Sequence, residues 1–315
     1  MRPKRDRPER TLSRRHLLRR TATVAAAGLA LPATLSSGVS SGVSSGATSS
    51  GEADGPAANK GRIRQSIVHW CFKKYWDIEQ TCRVARDLGC GSIELIPPSD
   101  WPTLKKYDLT CAIASSHGFV TGMNHPQHHE MCVKKLRAQI DACADFGVRN
   151  VISFTGMRED ISDEQGLKNC VAGYKKVIGY AEKKGVDICL EMLNSRVDKT
   201  MQGHPGYQGD HTDYCVEIIR KVGSERMKLL FDIYHVQIMD GDIIQRIRQY
   251  KDLIGHYHTA GNPGRKELDD SQEINYKAIM EEIVRTGYKG FVGQEFIPTR
   301  DPLQGLREAV RLCDV

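Results

Sequence analysis

The chain has 315 residues, of which 40% are hydrophobic and 27% charged, and a formal net charge of +6. A hydrophobic fraction of this size is enough for a real core, which excludes a globally disordered chain. Residues 1–20 alone carry a net charge of +7, so the other 295 residues sum to −1. A body so close to neutrality lacks the basic excess of a nucleic-acid-binding protein, and we expect no nucleic-acid partner.

The basic head is followed by an uncharged, alanine-rich run at residues 21–33. A membrane-spanning helix needs about 20 apolar residues, so this shorter run predicts no stable membrane anchor. A basic region, a short apolar stretch and small residues beyond it are typical of a secretory signal. The segment Ser13-Arg14-Arg15-His16-Leu17-Leu18 resembles the twin-arginine signal of exported bacterial proteins.

This resemblance implies that residues 1–35 are a signal peptide, with the twin-arginine translocation machinery as a partner and a periplasmic or exported location. A disordered basic arm is the alternative. Residues 36–61 are rich in Ser, Gly and Ala, a composition that predicts a flexible linker. The range 62–315 has the size of a single eight-fold α/β barrel. Its ten cysteines contain no C-x-x-C pair, and we favour buried thiols over a disulfide framework.

From residue 62 onward, short apolar runs rich in β-forming residues alternate with helical patterns. The predicted strands are Ile67–Phe72, Ser92–Ile96, Leu109–Ser115, Asn150–Thr155, Asp187–Leu193, Lys228–Tyr234, Ile254–His258 and Phe291–Phe296. The predicted helices are Asp77–Leu88, Trp101–Tyr107, Gln127–Phe146, Asp163–Lys184, Thr212–Val222, Asp242–Tyr250, Asn275–Thr286 and Pro302–Leu312.

Eight alternating units predict an α/β fold in which a parallel sheet closes into a single-domain (β/α)8 TIM barrel. Several predicted helices stop at a glycine that a buried strand follows at once, as in Asp-Leu-Gly-Cys. An open, doubly wound sheet is the alternative fold. It would show a glycine-rich phosphate loop after the first strand, and the sequence after Phe72 contains none.

Polar residues end the last four predicted strands, where a barrel carries its chemistry. Such groups are costly to bury unless a partner of opposite charge lies between them. Three carboxylates and one imidazole suit a single divalent metal ion, either Mn²⁺, Mg²⁺, Co²⁺ or Zn²⁺. The predicted ligands are Glu191, Asp232, His258 and Glu295.

Two further polar residues lie within predicted strands. Glu94, on the second strand, is interpreted as a structural polar residue. His256 lies two residues before His258 and therefore on the same face of its strand. Because His258 is nearer the C-terminal end, it is the predicted ligand and His256 is interpreted as structural.

The strand-ending motifs are similar to those of the xylose-isomerase-like TIM-barrel superfamily, and within it to hydroxypyruvate isomerases and ketose 3-epimerases, over about residues 62–314. They read Leu-Glu191-Met-Leu-Asn194, Phe-Asp232-Ile-Tyr-His235-Val-Gln, Ile-Gly-His-Tyr-His258-Thr-Ala-Gly-Asn-Pro-Gly-Arg265 and Gln-Glu295-Phe. The resemblance implies that the four ligand positions bind one divalent metal and that Glu191 and Glu295 are the catalytic proton-transfer pair. At the third ligand position, hydroxypyruvate isomerases tend to have Gln, whereas this chain has His258, as the epimerases do.

Four residues are predicted to contact substrate. His235 looks like the substrate-hydroxyl contact of the family, with a packing histidine as the alternative. Arg265 lies in a glycine-rich loop, where its planar guanidinium can anchor a carboxylate or hydroxyl; a solvated loop arginine is the alternative. His204 lies in a long loop after the fifth strand, and long loops are often functional. Asn124 lies in a polar loop after the third strand, where helix capping is an alternative role.

Isomerisation and epimerisation both remove a proton next to a carbonyl group. A bound cation supports the negative charge of the resulting cis-enediolate, and two carboxylates can take and return the proton. We therefore expect a metal-dependent isomerase or epimerase of a small sugar or hydroxy-keto acid. The alternatives are a metal-dependent lyase acting on oxidised (keto) glycosides, an AP-endonuclease-like nuclease, which the charge and export signal disfavour, and an inactive sugar-binding barrel. The sequence leaves a homo-oligomer open.

Overall fold

A computed structural model of the protein describes residues 55–315. The predicted signal peptide and residues 36–54 of the predicted linker lie outside the described residues. Eight parallel strands form one sheet, in the order β2-β1-β8-β7-β6-β5-β4-β3. They are β1 (Arg64–Val68), β2 (Ser92–Glu94), β3 (Ile113–Ala114), β4 (Asn150–Ser153), β5 (Asp187–Glu191), β6 (Met227–Asp232), β7 (Ile254–Thr259) and β8 (Phe291–Gln294).

The two ends of this sheet meet, which confirms the predicted TIM barrel. Ile93 N donates a hydrogen bond to Thr110 O, and Leu95 N donates to Ile113 O, both at 3.1 Å. Backbone bonds therefore join β2 to the chain entering β3, and the eight strands form a nearly closed barrel. Among residues 55–315, no helix is long and apolar enough to cross a membrane.

Helices follow the strands and cover the outside of the barrel. They are α1 (His69–Phe72), α2 (Ile78–Leu88), α3 (Trp101–Lys106), α4 (His129–Phe146), α5 (Asp163–Lys175), α6 (Ile178–Lys184), α7 (Thr212–Val222), α8 (Ile233–Met239), α9 (Ile243–Tyr250), α10 (Tyr276–Arg285) and α11 (Pro302–Cys313). Two short 3₁₀ turns, Pro98–Asp100 and Pro126–His128, complete the set of described helical elements.

The predicted helix and strand patterns have local causes in the sequence. In α2, the side chain of Asp77 accepts a hydrogen bond from Gln80 N and caps the first turn. The helix ends at Gly89, whose φ of 80° is the left-handed conformation that glycine adopts most readily. Cys82 and Leu88 lie on its buried face.

Several predicted boundaries are wrong where a strand turns directly into a helix. The first strand spans Arg64–Val68 rather than Ile67–Phe72, because the chain becomes helical at His69. The sixth strand ends at Asp232, and the chain enters α8 at the next residue. His235, expected at the end of this strand, therefore lies in the first turn of a helix.

Other differences concern the lengths of elements. The third strand has two residues, Ile113–Ala114, instead of the predicted Leu109–Ser115. The predicted helix Asp163–Lys184 is two helices, α5 and α6, which separate at residues 176–177. Glu295 lies one residue beyond the end of β8 rather than within the strand. None of these differences moves a predicted ligand away from the C-terminal end of the barrel.

The last residues of the range predicted as a linker contact the barrel. Ala57 is buried, and Ala58 N donates a hydrogen bond to Leu88 O. Asn59 N and Lys60 N both donate to the side chain of Asp314. Contacts with the barrel therefore begin before residue 62. As predicted, all ten cysteines are buried free thiols.

The register of the late strands aligns the residues that matter for the site. Asp232 pairs with His258, and His258 pairs with Gly293. A bulge at Gly255 precedes this alignment, because Leu229 pairs with Ile254 while Leu230 pairs with His256. A Cβ atom at Gly255 would lie 2.8 Å from the Cβ of Lys228, so the bulge requires a glycine.

Candidate metal and substrate site

Four buried side chains converge at the C-terminal end of the barrel. Glu191 ends β5, Asp232 ends β6, His258 lies on β7, and Glu295 follows β8. One potential ligand atom of each lies within 4.8 Å of those of the other three. The structure thus brings together the four residues that the sequence predicted as metal ligands.

Three of these ligand atoms lack a hydrogen-bond partner among residues 55–315: Glu191 Oε1, Asp232 Oδ2 and His258 Nδ1. His258 Nδ1 lies 3.0 Å from Glu295 Oε2 and 3.5 Å from Glu191 Oε1. Buried polar atoms are rarely left unpaired, since each such atom costs free energy. Oxygen and imidazole donors that face one another in this way fit a single divalent cation.

Arg265 lies inside this group rather than on the rim. Its Nη2 is 2.5 Å from Glu295 Oε2 and 3.5 Å from Asp232 Oδ2. Nη1 donates to Met201 O at 2.8 Å, in the loop after β5. The residue is 2% exposed, and its Nε has no partner in the described part of the chain. The alternative of a solvated loop arginine is therefore wrong.

The three carboxyl groups of the site differ in how their pKa values are shifted. Burial alone would raise the pKa of Glu295, but Arg265 and His258 together hold it well below its ordinary value. Burial raises the pKa of Asp232 to about 8 and also raises that of Glu191. The two cationic side chains thus keep one carboxylate ionised while two others resist ionisation. A divalent cation would supply the missing positive charge.

The neighbouring charges also shift the pKa of His258. Burial alone would lower its pKa, but the attraction of Glu295, Glu191 and Glu94 raises the pKa well above its ordinary value. A metal ion at Nδ1 would have to displace a proton from the ring.

His235 reaches the same group of ligands from α8. Its Nδ1 accepts a hydrogen bond from Asn194 N at 3.0 Å and lies 2.7 Å from Asn194 Nδ2. Burial lowers the pKa of His235 well below its ordinary value, so the ring is neutral and its proton is on Nε2. Nε2 lies 3.6 Å from Asp232 Oδ2 and has no hydrogen-bond partner among the described residues. It is a donor that faces the ligand group.

His204 lies beside His235, with 5.9 Å between the two ring centroids. Its other neighbour is Phe119, at 4.2 Å between ring centroids. Burial, together with the charge of Arg265, lowers the pKa of His204 to about 4, so the ring is neutral. The His204 ring thus contacts both His235 and Phe119, which lies in the chain after β3.

Asn124 is placed differently from the other predicted substrate contacts. It is fully buried, and its Nδ2 donates to Met157 O at 2.6 Å and to Gln208 Oε1 at 2.9 Å. These bonds join the loops that follow β3, β4 and β5. None of its hydrogen bonds goes to the ligand group, so the structure shows Asn124 as a brace between loops.

Two contacts of the site were not predicted. Trp70 Nε1 donates to Glu295 Oε1 at 3.0 Å, and the Arg265 guanidinium lies 5.3 Å from the Trp70 ring. Asn194 orients His235, as described above. Asn194 lies three residues after Glu191 in the strand-ending motif. The sequence therefore indicated its position near the site, but not its contact with His235.

The fold and this site agree with a match to a known family. The chain belongs to the xylose isomerase-like TIM barrel family, whose profile matches residues 82–314. The match covers most of the described barrel, including all four predicted ligands.

Two curated relatives show what similar proteins do. The hydroxypyruvate isomerase of Escherichia coli (strain K12) is 37% identical over 103 residues, 33% of this chain and 40% of that protein. The 2-oxo-tetronate isomerase of Cupriavidus necator is 33% identical over 141 residues, 44% of this chain and 52% of that protein. The chain thus spans about half the length of the curated relatives it matches.

A solved structure shows the same fold. The AP endonuclease, family 2, from Brucella melitensis superposes with a TM-score of 0.67 at 22% identity, over 78% of this chain and 96% of that one. At this identity the likeness concerns the fold alone.

Proposed function

We propose that the protein is an isomerase or epimerase of a small sugar or hydroxy-keto acid and that it works with one divalent metal ion. The observation that carries the proposal is the convergence of four buried ligand atoms, three of them without hydrogen-bond partners in the described barrel. The names of the relatives, hydroxypyruvate isomerase and 2-oxo-tetronate isomerase, support the substrate class. The metal ligands are Glu191, Asp232, His258 and Glu295.

When bound, the ion supplies Lewis acidity to the oxygens next to the carbon that loses its proton. The chain itself moves the proton. Glu191 and Glu295 both belong to the ligand group, with one oxygen of each within 4.8 Å of the other, and a carboxylate of this kind can take or return a proton. Glu295 is held in one orientation by Trp70 and Arg265. The two carboxylates therefore act as the pair that takes and returns the proton.

Two buried hydrogen-bond donors complete the binding of substrate. His235 Nε2–H faces the ligand group and can donate to a substrate oxygen. Arg265 Nε, buried and without a partner among residues 55–315, offers a charged donor to a carboxylate or hydroxyl group. His204, which packs against Phe119 and lies beside His235, can also contact a bound substrate.

A substrate panel tests this proposal. Purified protein, stripped of metal and reloaded with Mn²⁺ or Co²⁺, is assayed by NMR on hydroxypyruvate, a 2-oxo-tetronate and a neutral ketose. We expect turnover of at least one of them, and slow incorporation of deuterium at the reacting carbon in D₂O. Asp187→Asn is the matched control, since Asp187 is a buried aspartate that pairs with Arg149 and Arg226 at the other end of β5. Absence of both turnover and exchange on all substrates would contradict the proposal.

We also propose that residues 1–35 direct export through the twin-arginine machinery and that residues 36–54 belong to a flexible linker. The sequence motif around Arg14 and Arg15 supports this. Fused to a folded reporter, residues 1–35 should deliver it to the periplasm, and changing both arginines to lysine should abolish delivery. An unchanged periplasmic signal in the double variant would exclude the twin-arginine route.

A further inference from the structure

Behind the ligand group, a second cluster of polar side chains is buried in the barrel. Glu94 of β2 and His256 of β7 are both fully buried, as is His258. Glu94 Oε2 lies 2.7 Å from His256 Nε2, and Glu94 Oε1 lies 3.7 Å from His258 Nε2. None of these four atoms makes a hydrogen bond of good geometry within the described barrel.

The side chain of Glu94 is unusual because it reaches past two strands to contact a third. In the sheet, β1 and β8 lie between β2 and β7. The route over β8 passes Gly293, where a Cβ atom would lie only 1.8 Å from Glu94 Oε1 and 2.9 Å from His258 Cδ2. Because Gly293 has no side chain, it leaves room for the carboxylate of Glu94 to contact His256 and His258.

His258 has two nitrogens with different surroundings. Nδ1 faces Glu295 and Glu191 on the side of the ligand group, whereas Nε2 faces Glu94. To bind a metal through Nδ1, the ring must keep its proton on Nε2. The carboxylate of Glu94, 3.7 Å from Nε2, attracts a proton on that nitrogen and so favours the tautomer that leaves Nδ1 free to bind a metal ion.

A second metal ion is a weaker explanation of the same cluster. Two ligand atoms of one tetrahedral ion, each about 2.1 Å from it, lie roughly 3.4 Å apart. The 2.7 Å separation of Glu94 Oε2 and His256 Nε2 is shorter than this and marks a direct contact between the two side chains. His256 therefore fits the role of holding Glu94.

We propose that Glu94 and His256 are positioning residues: His256 holds the Glu94 carboxylate, and Glu94 orients His258 so that Nδ1 binds the metal ion. This inference rests on the metal site of the proposed function. On this proposal neither residue is itself a ligand of the metal ion. Their loss should act on metal affinity, through His258, more than on the stability of the barrel.

The first test measures metal affinity. The Kd of Mn²⁺ or Co²⁺ is determined by chelator competition for the wild type, Glu94→Gln and Gly293→Ala, together with the urea midpoint of each metal-free protein. We expect each variant to bind roughly 10- to 100-fold more weakly, the range seen when a partner of a metal-bound histidine is removed. Gly293→Ala crowds both Glu94 Oε1 and the His258 ring, so it tests the arrangement of the two side chains together, whereas Glu94→Gln changes only the charge of the carboxylate.

Glu267→Gln is the matched control. Glu267 is another buried carboxylate near the mouth of the barrel, but it accepts hydrogen bonds from Thr299 and Arg300 and has no contact with His258. We expect it to lower the urea midpoint while leaving the Kd unchanged. A general loss of packing would weaken metal binding in this variant too.

The second test reads the tautomer directly. In the Zn²⁺-bound protein, ¹⁵N NMR of the His258 ring should show a protonated Nε2 in the wild type and an altered Nε2 signal in Glu94→Gln. Metal affinity of Glu94→Gln within threefold of the wild type, with an unchanged Nε2 signal, would overturn the inference while leaving the proposed function intact. Two ions per chain, one of which is lost in His256→Ala, would also overturn it. A wild type that binds no divalent ion would contradict both.

Discussion

Asp232 shows how one residue serves both the fold and the site. Its Oδ1 accepts hydrogen bonds from Tyr234 N at 2.8 Å and His235 N at 3.3 Å, which caps α8. Its Oδ2 lies 3.5 Å from Arg265 Nη2 and 3.6 Å from His235 Nε2, within the site. The carboxylate that ends β6 therefore also starts the helix that carries His235 into the site, and a change at this position alters ligand and helix together.

The proton-transfer pair can be tested by removing basicity while keeping shape. Glu→Gln retains an oxygen ligand but deletes the proton acceptor. We expect Glu191→Gln and Glu295→Gln each to keep much of their metal and to lower kcat by roughly 10²–10⁴. Steady-state kinetics on the best substrate of the panel, with metal content measured on the same samples, checks this. Metal-loaded glutamine variants with kcat near that of the wild type would refute the two-carboxylate mechanism.

The position of Arg265 changes the effect expected from its removal. An anchor that only holds substrate would act on KM alone. Because Arg265 touches Glu295 and Asp232, its loss should also let Glu295 reorient. We expect Arg265→Ala to lower kcat at least about tenfold and to weaken binding of an acid substrate by about 1.5–3 kcal/mol, the range for a hydrogen bond to a charged group.

Arg265→Lys is the conservative variant and should recover part of kcat, since it restores the charge but not the bidentate geometry. The kcat and KM of both variants are measured on hydroxypyruvate and on a neutral ketose. A kcat within threefold of the wild type in Arg265→Ala would show that the guanidinium has no part in holding Glu295.

At the scale of elements, the buried carboxylate of Glu282 joins α9 and α10. Arg248 of α9 donates from Nε and Nη2 to the two oxygens of Glu282 on α10, both at 2.9 Å. Arg285 adds a contact at 3.0 Å. The hydrogen bonds from Arg248, followed by those from Arg285, lower the pKa of Glu282 to about 2.

This shift predicts how stability depends on pH. Because the pKa is lower in the folded than in the unfolded chain, the contribution of Glu282 is complete above about pH 4.5 and is lost as the pH falls towards 2. The difference in urea midpoint between the wild type and Glu282→Gln should therefore be larger at pH 7 than at pH 3.5. Glu281→Gln, which loses only a 3.4 Å contact with Arg285, is the control. A difference that grows on acidification would contradict the assignment.

At the scale of the whole molecule, the eight βα units could be predicted because their signals are local. A buried apolar run can be recognised from its own residues, without knowing which strands it pairs with. The same is true of a helix that ends at a glycine such as Gly89. The turns from β1 into α1 and from β6 into α8 could not be predicted. In the second case the cap supplied by Asp232, and not the hydrophobic pattern, decides where the strand ends.

The same distinction, between features set by local sequence and features set by the whole sheet, applies to the site. The four ligands were predictable because each ends a strand, and parallel strands of a barrel bring their ends together. The roles of Trp70 and Glu94 were not, because both depend on the closed order of the barrel. Trp70 follows β1 and reaches Glu295 after β8, and Glu94 reaches β7 only over Gly293. Strand order is a property of the whole sheet that no local pattern contains.

The most direct test of the central claim is a titration of activity with metal. Metal-stripped protein receives increasing equivalents of Mn²⁺ or Co²⁺, and turnover of the best substrate is followed after each addition. The account predicts that activity rises from near zero to a plateau at about one equivalent per chain, and that Asp232→Ala recovers neither metal nor activity. Full activity in the stripped protein, or equal recovery in Asp232→Ala, would contradict it.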